Sequence, residues 1–355
     1  MCLPTDRGWE WMKRYLVLAE GYSGDDHYGK TTYGVIRYAA DPVVAVLDSE
    51  RVGEAVEGVP VVGSVADALP YEPTTALVGV AVAGGRLPPV WRGLLRDAVE
   101  AGLDVEAGMH EFLTDDAELV ALAQERRVEL RDYRRPPADL SVPSGENLTH
   151  GAGVVLTVGS DCAVGKKTVA VELDRAARAR GLRSVFVPTG QTGIMIAGWG
   201  IAVDAVVSDF LAGAAERLVV EGAARGDLLF VEGQGSIVHP QFSGVTLGLY
   251  HGAAPHALVL VHRAGETEIE GVPGHVIPPL PHLIDLYERL ALPARPARVA
   301  AIALNTGRLA EEAAGKAVAT VAEETGLPTD DPVRFGPDRL LEAVLAGLPS
   351  GITRP

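Results

Sequence analysis

Short runs of consecutive apolar residues alternate with segments of helical periodicity along the first third of the chain. Such runs predict strands that are buried on both faces, and the segments between them predict helices that connect the strands in parallel. The predicted strands span residues 15–19, 43–47, 77–82, 103–106 and 128–132, and the predicted helices span 31–38, 65–69, 91–101 and 116–126. The pattern predicts a Rossmann-like α/β domain over residues 1–136, with ligand-binding loops at 20–22 and 82–85.

The remainder of the chain continues the alternation. Its predicted strands span 153–158, 184–187, 228–231, 257–261 and 299–304, and a helix is predicted over 168–180. None of these strands alternates apolar with polar residues, which favours a doubly wound parallel sheet with helices on both faces. The sequence therefore predicts a P-loop NTPase-like α/β domain over residues 153–355. A tract rich in Pro, Ser and Gly predicts a linker at 137–152, and four prolines in 271–281 predict an exposed loop.

Composition narrows the class of protein. With 355 residues, 47% hydrophobic and 22% charged, the chain is long enough for two compact domains. A net charge of -16 argues against nucleic-acid binding, which needs clustered Lys and Arg. No run of about 20 apolar residues predicts a membrane span, and the charged N-terminus does not resemble a signal peptide. Two cysteines, Cys2 and Cys162, favour the reducing cytoplasm, and a homo-oligomer is expected because soluble proteins often form symmetric homo-oligomers.

Residues 159–168 carry the clearest chemical motif. Gly159 is followed by Ser160-Asp161-Cys162-Ala163-Val164-Gly165-Lys166-Lys167-Thr168, which is close to GxxxxGK[ST] but has Ser160 at the first Gly position. The amides of such a loop, the start of the following helix and the ammonium group of Lys166 together bind a phosphate. Because Lys167 follows Lys166, the hydroxyl that usually binds Mg²⁺ is displaced to Thr168, about 100° around the helix.

A second motif, Glu232-Gly233-Gln234-Gly235-Ser236, follows the predicted strand 228–231. A carboxylate at this place in a P-loop protein reaches Mg²⁺, so Glu232 and Thr168 are the expected metal ligands, and Glu232 is also a candidate catalytic residue. His239, in the loop beyond, is a candidate general base, with a structural surface histidine as the alternative. The nine histidines show no HxxxH or HExxH spacing, so no zinc site is expected.

A third cluster, Thr189-Gly190-Gln191-Thr192-Gly193, follows the predicted strand 184–187. Glycines with Thr and Gln donors at the carboxyl end of a strand suit a substrate loop, to which residues 233–236 would also contribute. Gln191 is a candidate for polarising a substrate carbonyl. The alternative is a turn followed by a core helix. Asn305 ends the strand 299–304, where it would either contact a nucleotide or cap its own turn.

These motifs resemble those of a P-loop family, formerly called a domain of unknown function, that includes D-glutamate N-acetyltransferase. The matching segments are GSDCAVGKKT, GQTGIMIAGWGIAVDAVVSDF, VEGQGSIVHP and GLYHG in the C-terminal part, and PVVGSVADAL and EAGMHEFLTDD in the N-terminal part. GSDCAVGKK and VEGQGS are also similar to the nucleotide loop and metal-side Glu of dethiobiotin synthetase, which implies phosphate on Lys166 and metal on Glu232. The N-terminal half resembles the CoA-binding domain of succinyl-CoA synthetase, which would suit an acyl-CoA donor.

Three functions remain open at this point. The first, implied by the family, is an N-acetyltransferase that moves an acetyl group from acetyl-CoA to the amine of an acidic amino acid such as glutamate. Glu232 or His239 would be its base, and Lys167, Arg263 or Arg334 would contact the acidic substrate. The second is an ATP- and Mg²⁺-dependent ligase or kinase that activates a carboxylate as an acyl phosphate. The third is a nucleotide-binding regulatory module.

Overall fold

The structure is a computed structural model of the chain that describes residues 12–25, 28–81, 85–87 and 90–349. The chain divides into two compact units, Met1–Arg135 and Pro136–Pro355, each with its own hydrophobic core. Both units consist of largely parallel sheets flanked by helices, so the predicted α/β class is confirmed. Within the described residues, no helix is both long enough and apolar enough to cross a bilayer.

The first unit is a Rossmann-like α/β domain. Its strands are β1 (Tyr15–Leu18), β2 (Val43–Leu47), β3 (Ala55–Val56), β4 (Val59–Val62), β5 (Thr75–Val78), β6 (Asp104–Ala107) and β7 (Leu130–Asp132). Its helices are α1 (Lys30–Tyr38), α2 (Val65–Ala68), α3 (Trp91–Glu100) and α4 (Ala117–Arg126). The described strands form a seven-stranded sheet in the order β3-β4-β2-β1-β5-β6-β7, parallel except between β3 and β4. The apolar runs become strands because this sheet has helices to cover it.

Two features of this unit differ from the prediction. The strand predicted at 77–82 is β5, which ends at Val78, and Val82 lies outside the described residues, as does most of the loop predicted at 82–85. The hairpin β3–β4 was missed. Its two turn residues, Glu57 and Gly58, both have positive φ, at 51° and 83°, as a type I′ turn requires. Glu at the first of these positions is not a usual signal for such a turn, and the strands are too short to show alternation.

The second unit is a doubly wound parallel sheet, as predicted. Its strands are β8 (Gly153–Gly159), β9 (Ser184–Val187), β10 (Leu228–Val231), β11 (Ala257–Arg263), β12 (Arg298–Asn305) and β13 (Thr329–Asp330). Its helices are α5 (Lys166–Ala179), α6 (Gln191–Ala197), α7 (Ser208–Ala223), α8 (Ser243–Ala253), α9 (Leu280–Arg289), α10 (Glu311–Thr325) and α11 (Asp338–Gly347). The strand order is β13-β12-β11-β8-β10-β9, which places β8 between β10 and β11. The carboxyl ends of these three strands therefore meet at one edge of the sheet.

Residues 137–152, predicted as a linker, contact helices of the second unit. The carboxylate of Glu216 on α7 accepts hydrogen bonds from the amides of Ser144 and Gly145 at 2.6 and 2.8 Å. Asn147 donates its side-chain amide to the carbonyl oxygen of Gly252 on α8 at 2.7 Å. These contacts fix the segment on the second unit. The predicted domain bounds, 1–136 and 153–355 with a linker between them, stay a prediction. The segment 271–279 forms a mostly exposed loop before α9.

Candidate functional site

The P-loop lies at the carboxyl end of β8, the buried strand near the middle of the second sheet. The helix that follows, α5, begins at Lys166, two residues earlier than predicted. Between them the backbone passes through two residues in the left-handed region, Ala163 with φ 49° and Gly165 with φ 117°. A turn of this kind can direct successive amides to one side, where the start of the helix adds positive potential. The segment from Ser160 to Thr168 therefore has the backbone form of an anion site.

The side chains of Ser160 and Asp161 are fully buried and help to fix the loop. The hydroxyl of Ser160 lies 2.8 Å from Nδ1 of His262 on β11, and burial lowers the pKa of His262, which favours the neutral ring. The two carboxylate oxygens of Asp161 accept hydrogen bonds from the amides of Cys162 and Glu270, at 2.6 and 2.7 Å. Both side chains are thus engaged within the protein, which leaves anion binding to backbone amides and lysines.

The carbonyl oxygens of the loop are held by the ends of two neighbouring strands. Arg263, the last residue of β11, donates to the carbonyl oxygen of Ala163 at 2.6 Å. Asn305, the last residue of β12, donates from Nδ2 to the carbonyl oxygen of Val164 at 3.1 Å. β12 reaches this point with an extra residue, Ala300, which the pairing with β11 skips. Of the two roles that the sequence left open for Asn305, the geometry favours a structural one.

The side chain of Lys166 packs against two glycines, Gly159 and Gly233. Its Nζ donates to the carbonyl oxygen of Asp161 at 2.7 Å. A Cβ on Gly159 would lie 2.7 Å from the carbonyl oxygen of Asp161 and 2.8 Å from Nζ, and a Cβ on Gly233 would lie 1.8 Å from the carbonyl oxygen of Thr157 and 3.0 Å from Cδ of Lys166. The amide of Gly233 donates to the hydroxyl of Thr157 at 2.9 Å, so it is already used within the protein. Glycine at 233 is therefore required first by the close approach of the β8 backbone at Thr157 and then by the side chain of Lys166, and the predicted substrate contact of Gly233 stays a prediction.

Glu232 follows β10 at the same edge of the sheet, and its side chain is buried, with 4% of the residue exposed. Its Oε2 accepts hydrogen bonds from the amides of Thr189 and Gly190, at 3.0 and 3.1 Å. Burial raises the pKa of Glu232 to about 7, although the charge of Lys167 and these two amides oppose the rise. A carboxyl group with this pKa exchanges its proton near neutral pH, which suits a general base.

The cluster predicted as a substrate loop is a turn followed by a helix, which is the alternative that the sequence left open, and its contact with a substrate stays a prediction. Only Thr189 and Gly190 lie in a turn, and α6 begins at Gln191. Gln191, Thr192 and Gly193 are buried. Gly193 faces Glu232, because a Cβ on Gly193 would lie 2.2 Å from Oε2. The glycines suggested a flexible loop, but here glycine allows a helix to pack against a carboxylate.

His239 lies close to the P-loop and is 2% exposed, so it is not the surface histidine of the alternative interpretation. Its Nε2 is 4.0 Å from Oδ1 of Asp161, and its Nδ1 accepts a hydrogen bond from the amide of Gln241 at 3.2 Å. Among the described residues, the ligand atoms of Asp161, Cys162 and His239 lie within 4.8 Å of one another. This cluster does not fit a metal, because an imidazole that accepts at Nδ1 carries its proton on Nε2, the atom facing Asp161.

Tyr287 on α9 and His262 are buried polar residues beside the loop that the sequence analysis missed. The hydroxyl of Tyr287 donates to the carbonyl oxygen of Gly159 at 2.7 Å and accepts from the amide of Ile237 at 3.1 Å. It also hydrogen-bonds the side chain of Ser236, which is fully buried. His262 could have been found from its place near the end of a predicted strand, whereas Tyr287 has no such signal.

The other predicted residues lie in different places. Thr168 is partly buried in the first turn of α5. Gln234 donates from Nε2 to the hydroxyl of Thr189 at 3.1 Å, and Gly235 adopts the left-handed φ of 62°. Arg334 donates to the carbonyl oxygens of Thr306 and Leu309 at 3.2 and 2.8 Å, so its guanidinium holds the turn after β12. A substrate contact by Arg334 is therefore not favoured.

An all-parallel sheet with this loop after a central strand, joined to a Rossmann-like unit, defines a two-domain P-loop α/β protein. The chain belongs to the family of the domain of unknown function DUF1611. Residues 141–341 match its P-loop domain, DUF1611_C, and residues 47–136 match its Rossmann-like domain, DUF1611_N. The resemblance to this family that the sequence motifs indicated is thereby confirmed.

Two relatives and one solved structure are similar over most of the chain. A D-glutamate N-acetyltransferase from Tritonibacter scottomollicae is 39% identical over 274 residues, which cover 77% of this chain and 81% of that protein. A protein of the same name from a Pseudoalteromonas species is 34% identical over 279 residues, which cover 78% of this chain and 83% of that protein. The crystal structure of a DUF1611 family protein from Anabaena variabilis matches with a TM-score of 0.90 and 43% identity, covering 94% of this chain and 99% of the other.

Proposed function

We propose that this chain is an N-acetyltransferase that moves an acetyl group from acetyl-CoA to the amine of an acidic amino acid such as glutamate. The names of two relatives with 39% and 34% identity support an acetyltransferase. The observation that carries the proposal is Glu232, a buried carboxylate with a pKa of about 7 at the sheet edge that holds the P-loop. An acetyl-CoA donor also supports a location in the cytoplasm.

In the proposed reaction the P-loop amides and Lys166 bind a phosphate group of CoA. The amine nitrogen of the amino acid attacks the carbonyl carbon of the thioester, and the C–S bond breaks as CoA leaves. Glu232 accepts the proton that the amine loses and passes it to the departing sulfur. Glu232 is favoured over His239 as the base, because the Nε2 of His239 already carries a proton.

Turnover assays with matched variants test this proposal. Purified full-length protein is incubated with acetyl-CoA and either D- or L-glutamate, and free thiol and acetylated product are measured. A parallel reaction contains ATP, Mg²⁺ and the same amino acids. Free CoA together with N-acetylglutamate supports acetyl transfer, whereas release of ADP that depends on the amino acid would support the ligase instead.

The variants Lys166→Ala and Glu232→Gln locate the site within the chain. Lys166→Ala is expected to raise KM for acetyl-CoA, and Glu232→Gln to lower kcat by about 100-fold or more, the usual contribution of a general base. Lys316→Ala and Glu324→Gln, exposed positions on α10, are the matched controls and are expected to keep full activity. Full activity in both Lys166→Ala and Glu232→Gln would place the reaction elsewhere.

A further inference from the structure

The residues at the loop do not fit the Mg²⁺ ion that P-loop proteins commonly use. In those proteins the ion is bound by the hydroxyl of the residue after the loop lysine, and by a carboxylate at the end of a neighbouring strand. Here the residue after Lys166 is Lys167, and Thr168 points about 100° further around α5. A cationic side chain thus occupies the sequence position from which the ion would receive its hydroxyl ligand.

Three of the four carboxylate oxygens of Glu232 and Asp161 accept backbone hydrogen bonds. Glu232 accepts two backbone hydrogen bonds at Oε2, and both oxygens of Asp161 accept backbone hydrogen bonds. Among the influences that favour the charged form of Glu232, the charge of Lys167 is the largest. Lys167 therefore places positive charge near this carboxylate from within the chain.

Lys166 and Lys167 place two positive charges at the first turn of α5. Consecutive residues of a helix diverge by about 100°, so the two side chains leave the helix in different directions. Lys166 is buried and packs against Gly159 and Gly233. Lys167 is partly buried, and its charge favours the ionised form of Glu232. Two ammonium groups and a helix start can neutralise much of the charge of a diphosphate without an added ion.

We propose that the loop binds a diphosphate group, that of CoA, without a divalent cation, and that the ammonium group of Lys167 supplies the positive charge that Mg²⁺ supplies in other P-loop proteins. The choice of CoA rests on the proposed function. Lys167 then favours the diphosphate of CoA over a nucleoside triphosphate, because a triphosphate carries more charge and is ordinarily bound together with Mg²⁺.

Calorimetric titration of the full-length protein tests this inference without turnover. CoA and ADP are each titrated in buffer with Mg²⁺ and in buffer with EDTA. The Kd for CoA is expected to change by less than about twofold between the two buffers, while Lys167→Ala weakens CoA binding about tenfold in both. Lys167→Ser, which restores a hydroxyl at this position, is expected to bind CoA more tightly with Mg²⁺ than with EDTA. Lys316→Ala is the control and is expected to bind as the unaltered protein does.

The outcomes separate this inference from the proposed function. Loss of CoA binding by the unaltered protein in EDTA would overturn the inference, and this comparison needs no variant that has to fold. Failure to bind either ligand in both buffers would overturn it as well. A third outcome is that ADP binds without a metal, that Lys167→Ala weakens this binding, and that CoA does not bind. This result would refute the acetyl-CoA function and support the role of Lys167.

Discussion

Gly193 and Glu232 are in direct contact: a Cβ on Gly193 would lie 2.2 Å from Oε2 of Glu232. The carboxylate has little freedom to move away, because it is buried and accepts the amides of Thr189 and Gly190. The first turn of α6 therefore packs against Glu232 only if residue 193 has no side chain.

Replacing Gly193 with Ala is expected to displace the carboxylate of Glu232 and to destabilise the protein by about 1–3 kcal/mol, the usual range for overpacking. Urea unfolding and turnover measurements check both effects. Gly315→Ala is the matched control, because Gly315 lies on the exposed side of α10 with nothing within 4 Å of an added Cβ. This control is expected to be unchanged or more stable by about 0.5–1 kcal/mol. Equal stability of the two variants would mean that the Glu232 carboxylate moves without cost.

Glu232 is expected to make the stability of the fold depend on pH. Burial raises its pKa to about 7 from the ordinary value of 4.5, so between these values the folded state holds a proton that the unfolded state has lost. The stability that this group contributes is fully present below pH 4.5 and is lost as the pH rises through about 7.

Unfolding free energies of the unaltered protein and of Glu232→Gln, measured from pH 5 to 8, isolate this effect. As the pH rises over this range, the unaltered protein is expected to lose about 2.5 kcal/mol of stability relative to Glu232→Gln. Glu324→Gln, at an exposed position, is expected to show no such shift. A pH-independent difference for Glu232→Gln would show that the carboxyl group is already ionised at pH 5.

Tyr287 is expected to contribute to stability through its hydroxyl. In Tyr287→Phe, the carbonyl oxygen of Gly159 and the amide of Ile237 each lose a hydrogen-bond partner in a buried environment. Unfolding in urea is expected to show a loss of about 1–3 kcal/mol. Tyr71→Phe, at an exposed tyrosine, is the matched control and is expected to change stability by less than about 0.5 kcal/mol. A loss that small in Tyr287→Phe would mean that other donors and acceptors replace the hydroxyl.

Glu106 on β6 is expected to stabilise the first unit. Its buried carboxylate accepts hydrogen bonds from the ammonium group of Lys13 at 2.5 Å and from the hydroxyl of Tyr133 at 2.6 Å. Burial, and then the charge of Glu106, raise the pKa of Tyr133 well above its usual range, so this phenol stays protonated and donates.

In Glu106→Ala, these donors lose their acceptor, and the first unit is expected to lose about 3 kcal/mol. Hydrogen exchange followed by mass spectrometry checks this, because exchange in β1 and β6 should accelerate while exchange in β8 and β10 stays unchanged. The exposed Glu129→Ala is the control. Equal acceleration in both units would show that the two cores do not unfold separately.

The sequence predicted the parts of the fold that depend on local pattern. Buried strands such as β9 and β10 were located to the residue, because a short, continuous apolar run between turn signals is typical of a buried parallel strand. The helix α6 was the alternative and not the favoured interpretation, because its first turn contains Gly193, and the need for glycine there comes from a contact with Glu232, which follows another strand. Such a contact leaves no trace in the local pattern of residues 189–198.

The same limit applies to the candidate site. The P-loop and Glu232 were found because each motif is contiguous in the sequence. Arg263 was predicted to contact the acidic substrate, not the loop. The contacts of Arg263 and Tyr287 with the loop depend on the tertiary structure, which brings residues more than 100 positions after Gly159 to the end of β8. Predicting them would require knowing which strands flank β8 before the contacts could be considered.

The extra residue Ala300 in β12 has a consequence for insertions and deletions in this strand. Beyond it, Arg263 pairs with Asn305, and both side chains reach the P-loop. Because side chains alternate between the faces of a sheet, shortening β12 by one residue would turn Asn305 to the opposite face. The length of β12 should therefore vary less among natural variants than the identity of its apolar side chains.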